Sequence, residues 1–422
     1  LLSAPLNIAK FPADILTLEN GLTVIHQHLA ATSAVTIDVW VRAGAIAEPD
    51  EWSGMAHFLE HMIFKGTERL APGVFDQIIE SRGGMSNAAT SHDYAHFFVT
   101  TAAQYLEDTL PHLAELLLHA AIPDEEFDRE RDVVLEEIRG CCDDSDWIAF
   151  QSLTQSVYQC HPYGRSILGT EAQLRERSPM QMRSFHACHY QPENMTVVIV
   201  GGVEQDTALE LAQQCFQDFP TPAACPQGIA HAEPPMTEIR RQELYLPRIN
   251  QARLMMAWIG PGVEQLSDAY GLDLISALLA EGWTSRLVQD LREKQQLVQG
   301  VRSGFSLQRD SSLFTITAYL DSEQIEEVEA RICNHLFELQ TITVSPQELA
   351  RCKRLLCNDY AFSTEAAGQL AGLYGYYNTI ATAPVCVTYP QQIQQLQASD
   401  IMRIAHQYLS LQHYAVTVLK PA

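Results

Sequence analysis

His57-Phe58-Leu59-Glu60-His61 places two imidazoles and a carboxylate within five consecutive residues, a set able to hold a zinc ion and activate water on it. At about 100° per residue, a helix turns His57 and His61 the same way within about 40° and puts Glu60 about 60° to the other side of His57. All three then face one point. Neutral imidazole is a common zinc ligand, and three protein ligands leave a fourth position open for water. The ion lowers the pKa of that water towards neutrality. A carboxylate beside it that is not itself a ligand takes the proton and later delivers it to the leaving group. Glu60 is the candidate base. Two histidines four apart also arise on ordinary amphipathic helices, so the motif needs a third ligand from elsewhere.

The elements that must position these side chains lie close by. Met55, Phe58, Leu59, Met62 and Ile63 give an apolar face to a helix expected over about 53–65, which Gly66 is placed to end. Residues 123–138 predict a second helix, with Asp124 as N-cap and acids crowding its first turn. Glu130 and Glu137, seven apart, return to one face within about 20°, whereas Glu136 points about 100° from Glu137 and reads as solvated. Phe127, Val134 and Ile138 line the neighbouring apolar stripe, which sets Glu130 and Glu137 at a buried boundary. Phase alone leaves either one open as a plain surface acid on a charged helix.

An inverted H-x-x-E-H motif with a glutamate well downstream is the signature of the inverzincins. The chain resembles the pitrilysin and mitochondrial processing peptidase family over many motifs in the family's order. They run through Gly54-Met55-Ala56-His57 to Met62, Phe64-Lys65-Gly66-Thr67, Gly83-Gly84, Asn87-Ala88, Thr90-Ser91 and Asp93. Glu130 to Glu137 follow, then His161-Pro162-Tyr163-Gly164-Arg165, Leu168-Gly169-Thr170, Phe185-His186, Tyr190, Pro192 and Asn194. The resemblance implies His57, His61 and Glu137 as ligands of one zinc per chain and Glu60 as general base. It implies that Glu130 supports the site by orienting a ligand or sharing the proton work. The reaction implied is hydrolysis of a peptide bond by a metalloendopeptidase.

Composition bounds the rest. A chain of 422 residues exceeds one ordinary core and predicts at least two domains. Its 52 acidic against 27 basic residues give a net charge of −25, which argues against a nucleic-acid backbone as partner and suits basic peptides. Acidity of this kind also serves solubility alone. The ten cysteines show neither zinc-ribbon spacing nor secreted-scaffold density and predict free thiols in a reducing compartment. No apolar run reaches the length of a membrane span. Cytoplasm is the expected location, with an organelle matrix or the periplasm as the alternative; a removed targeting segment stays open.

Strand character at Leu16 to His28, with Asn20-Gly21 as a tight turn, and the alternation of Val35, Ile37, Val39 and Val41 open an α+β layer. Helices are expected over about 73–82, 103–121 and 125–141, and a strand over Asn194 to Val200. Prolines 220, 222, 226, 234 and 235 mark a linker. Beyond it, a strand over Ala252 to Gly260 and a helix over Ala269 to Gly282 repeat the first half. Aligning Gly282 with Gly66 sets Asp273, Ser276 and Ala277 opposite His57, Glu60 and His61, so the metal residues are not repeated. The division expected is 1–219 as zinc-binding domain, 220–244 as linker and 245–422 as homologous domain without metal. The resemblance implies two such halves closed like a clamshell around an internal chamber that admits unfolded peptides.

Asn87 and Ala88, ahead of a strand through His96 to Thr100, match residues that relatives use to pair with an extended substrate; Asn87 alternatively caps a turn. His92 and His96 lie four apart on a strand-like segment, too spread for one metal, and read as structural. Many single-chain relatives carry an arginine and, seven residues later, a tyrosine that reach substrate. Arg292 falls in register with that arginine, but Gln299 stands where the tyrosine would be. A phenol donating to a developing oxyanion stabilises the transition state. Its loss favours a heterodimer in which a homologous subunit without zinc supplies the arginine and tyrosine. The alternatives are a self-sufficient homodimeric peptidase with Gln299 as substitute, and a zinc-binding structural or assembly subunit of the same fold.

Overall fold

The computed structural model describes residues 10–247 and 249–422. Two compact units are built from a mixture of sheet and helix, and among the described residues each unit gathers more than one stretch of chain: 10–139, 165–230 and 363–387 in the first, 140–164, 231–362 and 388–422 in the second.

The first unit holds β1 (Asp14–Thr17), β2 (Thr23–His28), β3 (Ala34–Val41), β4 (Met85–Thr90), β5 (Ala95–Ala102) and β6 (Met195–Gly201), in the order β1-β2-β6-β3-β5-β4. β1 and β2 form the expected hairpin around Asn20-Gly21, with Gly21 at φ 95°. Parallel pairing occurs between β2 and β6, and the remaining neighbours are antiparallel. The helices Met55–Ile63, Val74–Ser81, Leu106–Leu118 and Asp124–Asp143 fall where the apolar period placed them, within a few residues.

Alternation in β3 predicts one buried face, and Val35, Ile37, Val39 and Val41 do enter the core with Phe58, Leu59 and Met62. The opposite face is buried too, Thr36 and Asp38 included. The helix Ala367–Ile380 covers it: a Cβ on Gly375 would lie 2.1 Å from the Trp40 indole nitrogen, and Tyr374 Oη donates to Gln27 Oε1 at 2.7 Å. This helix comes from the far end of the sequence, so the local pattern of β3 carries no sign of it.

The second unit repeats the sheet as β7 (Arg240–Leu246), β8 (Ala252–Pro261), β9 (Val298–Leu307), β10 (Ser311–Leu320) and β11 (Ala415–Pro421), in the order β7-β11-β8-β10-β9. Order and strand senses match β2-β6-β3-β5-β4, including the single parallel pair, here β7 with β11. The halves are homologous in topology. The helix Leu266–Ala280 takes the place of the histidine-bearing helix, and Gly282 after it repeats the positive φ of Gly66. The helix Ser145–Val157 packs on β7, β8 and β11.

Compactness therefore divides the chain differently from the contiguous division at 219 and 245. Each half of the sequence contributes one helix to the other half's sheet. β7 also begins at Arg240, inside the 220–244 span read as linker, because Arg240 to Leu246 pairs with β11. Proline breaks local periodicity but does not say where the next ladder starts.

Candidate metal centre

The helix Met55–Ile63 starts without a cap of its own, since Gly54 has no side chain and stands at φ 90°. A distant carboxylate does the capping. Glu48 accepts from the Gly54 N–H at 3.0 Å and from the Ala56 N–H at 2.7 Å, setting a carboxyl at the positive end of the helix. Burial pushes this carboxyl up to about 8, against the pull of the two N–H donors and of Arg165. Arg165 fixes the surrounding loop by donating to Asp50 Oδ1 at 2.7 Å and to the carbonyls of Ala45 and Glu48 at 2.9 and 3.2 Å. Gly54 and Gly169 meet back to back: a Cβ on Gly54 would strike the Leu168 carbonyl at 2.6 Å, and one on Gly169 the Ser53 carbonyl at 2.4 Å. The motifs around residues 165 and 168–170 thus hold the start of the helix in place.

Met55, Phe58, Leu59, Met62 and Ile63 are all buried, which turns His57 and His61 together towards the helix Asp124–Asp143. Phe127, Val134 and Ile138 bury the facing side of that helix. His57 Nε2 lies 3.6 Å from Glu137 Oε1, and His61 Nε2 lies 3.4 Å from Glu137 Oε2. The three side chains bring one ligand atom each within 4.8 Å of one another. Two of these separations are too long for hydrogen bonds, yet a tetrahedral zinc with bonds near 2.0–2.1 Å holds nitrogen and oxygen ligands about 3.4 Å apart. Burial first, and His61 second, lower His57 to about 4, so its imidazole is neutral at pH 7 with a lone pair to offer. The donor set and spacing fit zinc.

Glu130 occupies the other side of His61. Its Oε1 accepts from His61 Nδ1 at 2.9 Å and its Oε2 accepts from Lys65 Nζ at 2.6 Å. With Nδ1–H donated to a carboxylate, His61 is held in the tautomer that presents Nε2 towards Glu137. Glu136 points away, exposed and paired with Arg139. Glu60 is directed to the neighbouring strand, where Thr90 Oγ1 donates to its Oε2 at 2.6 Å. Burial raises the Glu60 carboxyl above the ordinary range, with the Thr90 hydroxyl opposing.

Thr90 ends β4, the outermost strand of the sheet, which also carries Asn87 and Ala88. Asn87 is exposed, and its Oδ1 accepts from the Ala88 N–H at 2.9 Å. His92 and His96 have partners of their own, the Arg165 carbonyl at 3.1 Å and Asp38 Oδ1 at 3.0 Å. In the second unit, Arg292 donates to Glu293 Oε1 at 2.8 Å and lies 4.8 Å over the Trp283 ring. Gln299 is exposed on β9, the edge strand of that sheet. Asp273 accepts from the Tyr389 hydroxyl and Ser276 donates to Ser303 Oγ at 2.9 Å, so the repeat's positions serve packing.

Glu48, Lys65 and Thr90 were not assigned roles by the motif. Lys65 carried a signal, since it lies four residues after His61 in the stretch expected to be helical, although in the structure it stands in the turn just past the helix end. Glu48 and Thr90 act across turns and strands, where spacing has no fixed meaning.

Comparison with known proteins places these features in context. Residues 23–171 match the family model described as insulinase, peptidase family M16, and residues 178–356 match that of the peptidase M16 inactive domain. A zinc protease, PqqE, of Helicobacter pylori is 29% identical over 415 residues, spanning 97% of this chain and 93% of that protein. A probable mitochondrial-processing peptidase subunit beta of Arabidopsis thaliana is 25% identical over 439 residues, spanning 100% of this chain and 80% of its own. The crystal structure of a protease from Helicobacter pylori superposes with a TM-score of 0.91 at 28% identity, covering 97% of this chain and 99% of that one.

Proposed function

Because the chain belongs to peptidase family M16, the pitrilysin family, we propose that it is a zinc-dependent endopeptidase acting on unfolded peptides. The single observation that carries this reading is the convergence of His57, His61 and Glu137 at zinc-ligand separations beside an uncoordinated Glu60. These three residues would hold the ion. Bound there, zinc supplies Lewis acidity towards the peptide carbonyl and acidifies water.

The chain's own groups do the rest. Glu60 takes a proton from the attacking water and returns it to the leaving amine. Thr90 occupies one of its carboxylate oxygens, leaving Oε1 for that exchange. Burial raises the affinity of Glu60 for protons, the direction that helps a carboxylate accept one. Glu130, anchored by Lys65, keeps the His61 tautomer fixed. β4 is an open edge that ends at the residue bonded to Glu60, and an extended peptide adding to it beside Asn87 and Ala88 would bring its main chain to the base.

The partner reading rests on Gln299 and Arg292. No phenol stands at position 299, and the Arg292 guanidinium already has Glu293 and Trp283 as neighbours. The active enzyme is therefore a pair with a homologous subunit that lacks zinc and supplies the missing arginine and tyrosine, with a homodimer second. Hydrolysis of an unstructured peptide, by the isolated chain and by the complex co-purified from its native source, tests this. The co-purified complex is expected to cleave much faster; equal rates would show that Gln299 suffices.

A further inference from the structure

In the first unit, away from the histidine motif, Cys188, His189 and Cys225 bring two sulfurs and an imidazole nitrogen within 4.8 Å of one another. Cys188 and His189 end the helix Pro179–His189, and Cys225 lies in the proline-rich stretch that follows the helix Gln205–Cys215. We propose that these three residues form a second metal site, for a soft closed-shell cation of the zinc or cuprous type. It would clip the proline-rich stretch to the end of the helix.

Three observations support a built site. Cys225 Sγ stands 3.6 Å from His189 Nε2, the separation of about 3.6 Å that a tetrahedral zinc gives with a sulfur bond near 2.3 Å and a nitrogen bond near 2.0–2.1 Å. His189 is buried, at 6% exposure, and aims Nε2 at the sulfur. Gln227 Nε2 reaches both sulfurs, at 3.3 Å from Cys188 and 3.5 Å from Cys225. Thiolate and imidazole together select soft metals over calcium or magnesium.

The site has a consequence for the motif helix. Three residues beyond Cys225, the Gly228 N–H donates to the Ala47 carbonyl at 3.1 Å, and a Cβ on Gly228 would strike the Glu48 carbonyl at 2.6 Å. A clip at Cys225 thus holds the stretch against the loop whose Glu48 caps the helix of His57 and His61. The four-residue spacing of metal motifs does not reveal it, because Cys188-His189 and Cys225 are far apart in sequence.

Cobalt substitution of the full chain, prepared under reducing conditions, tests the site independently of activity. A sulfur-to-cobalt charge-transfer absorption is expected in the wild type and in Glu137→Ala, and its loss in Cys188→Ser and Cys225→Ser. Total metal by mass spectrometry is expected to fall by one equivalent in each cysteine variant while the equivalent held through Glu137 stays. Circular dichroism of the variants checks that they remain folded, and Gln227→Ala, which removes no thiol, is expected to weaken cobalt binding and keep the absorption. Absence of the charge-transfer band in the wild type, or its persistence in both serine variants, overturns the proposal. So does a Cys188–Cys225 disulfide in the protein isolated without reductant and never exposed to oxidant. Failure of the His57 centre to bind metal would leave the cobalt–sulfur result untouched, so the two sites fail separately.

Discussion

At the scale of residues, two glutamates on one face of a helix divide the contacts of the candidate centre between them. Glu137 faces both Nε2 atoms, while Glu130 takes His61 Nδ1 and Lys65. The spacing of His57, Glu60 and His61 made these three legible, and helical phase narrowed the acids to Glu130 and Glu137 while placing Glu136 in solvent. Phase did not separate the roles of Glu130 and Glu137, because that depends on which side of His61 each carboxylate approaches. The separation has a measurable result. Glu137→Ala is expected to lower zinc content by one equivalent, and Glu136→Ala to leave it unchanged; the reverse pattern would move the ligand to Glu136. Glu130→Gln is expected to keep zinc but weaken it, about 10–100-fold in affinity, as loss of a carboxylate behind a ligating histidine does. Competition with a chelator of known affinity reads that shift.

The positioning of these residues belongs to elements. The helix Met55–Ile63 is amphipathic by sequence, and its buried face is the expected one. Its N-terminus is held by Glu48, Arg165 and the contact between Gly54 and Gly169, none of which has a periodic signature. The same limit explains β3: alternation showed the face packed under the histidine helix, while the Trp40 face is buried by the helix Ala367–Ile380 from the other end of the chain. Glu48→Ala removes both acceptors of the buried Gly54 and Ala56 N–H groups. It is expected to destabilise the protein by about 1–3 kcal/mol, the cost of an unpaired buried polar group. Denaturant unfolding measures it. An unchanged midpoint would mean that the helix start is held without Glu48.

Across the whole molecule, buried histidines set the response to acid. Burial lowers His57, His186 and His189 to about 4, with the Leu117 carbonyl opposing for His186 and the His61 charge adding for His57. Between about pH 6.5 and 4 the unfolded chain takes up protons at these sites and the folded chain does not. Stability is therefore full above about pH 6.5 and is lost as the pH falls towards 4. The metal-free protein is expected to show a melting temperature that drops across this window, with a shallower drop in His186→Gln; a flat profile would mean that these imidazoles are not buried in the neutral form. Among the described residues no two cysteines are joined in a disulfide, and no helix is long and apolar enough to cross a membrane.

The homology of the two halves was legible from element order and from Gly66 and Gly282. The exchange of the helices Ser145–Val157 and Ala367–Ile380 was not, since a helix's own pattern shows that it has an apolar face and not which sheet will meet it. Activity ties the three scales together, because a base, a metal and a docked peptide must all be present for cleavage. The decisive measurement is peptide hydrolysis and zinc content determined together, on the proposed complex purified with wild-type chain and with Glu60→Gln. The variant is expected to keep its zinc and lose cleavage by about 10²-fold or more, in the range of a missing general base. Full cleavage by zinc-loaded Glu60→Gln, or no cleavage by the zinc-loaded wild-type complex, would contradict the assignment of this site as a zinc peptidase centre.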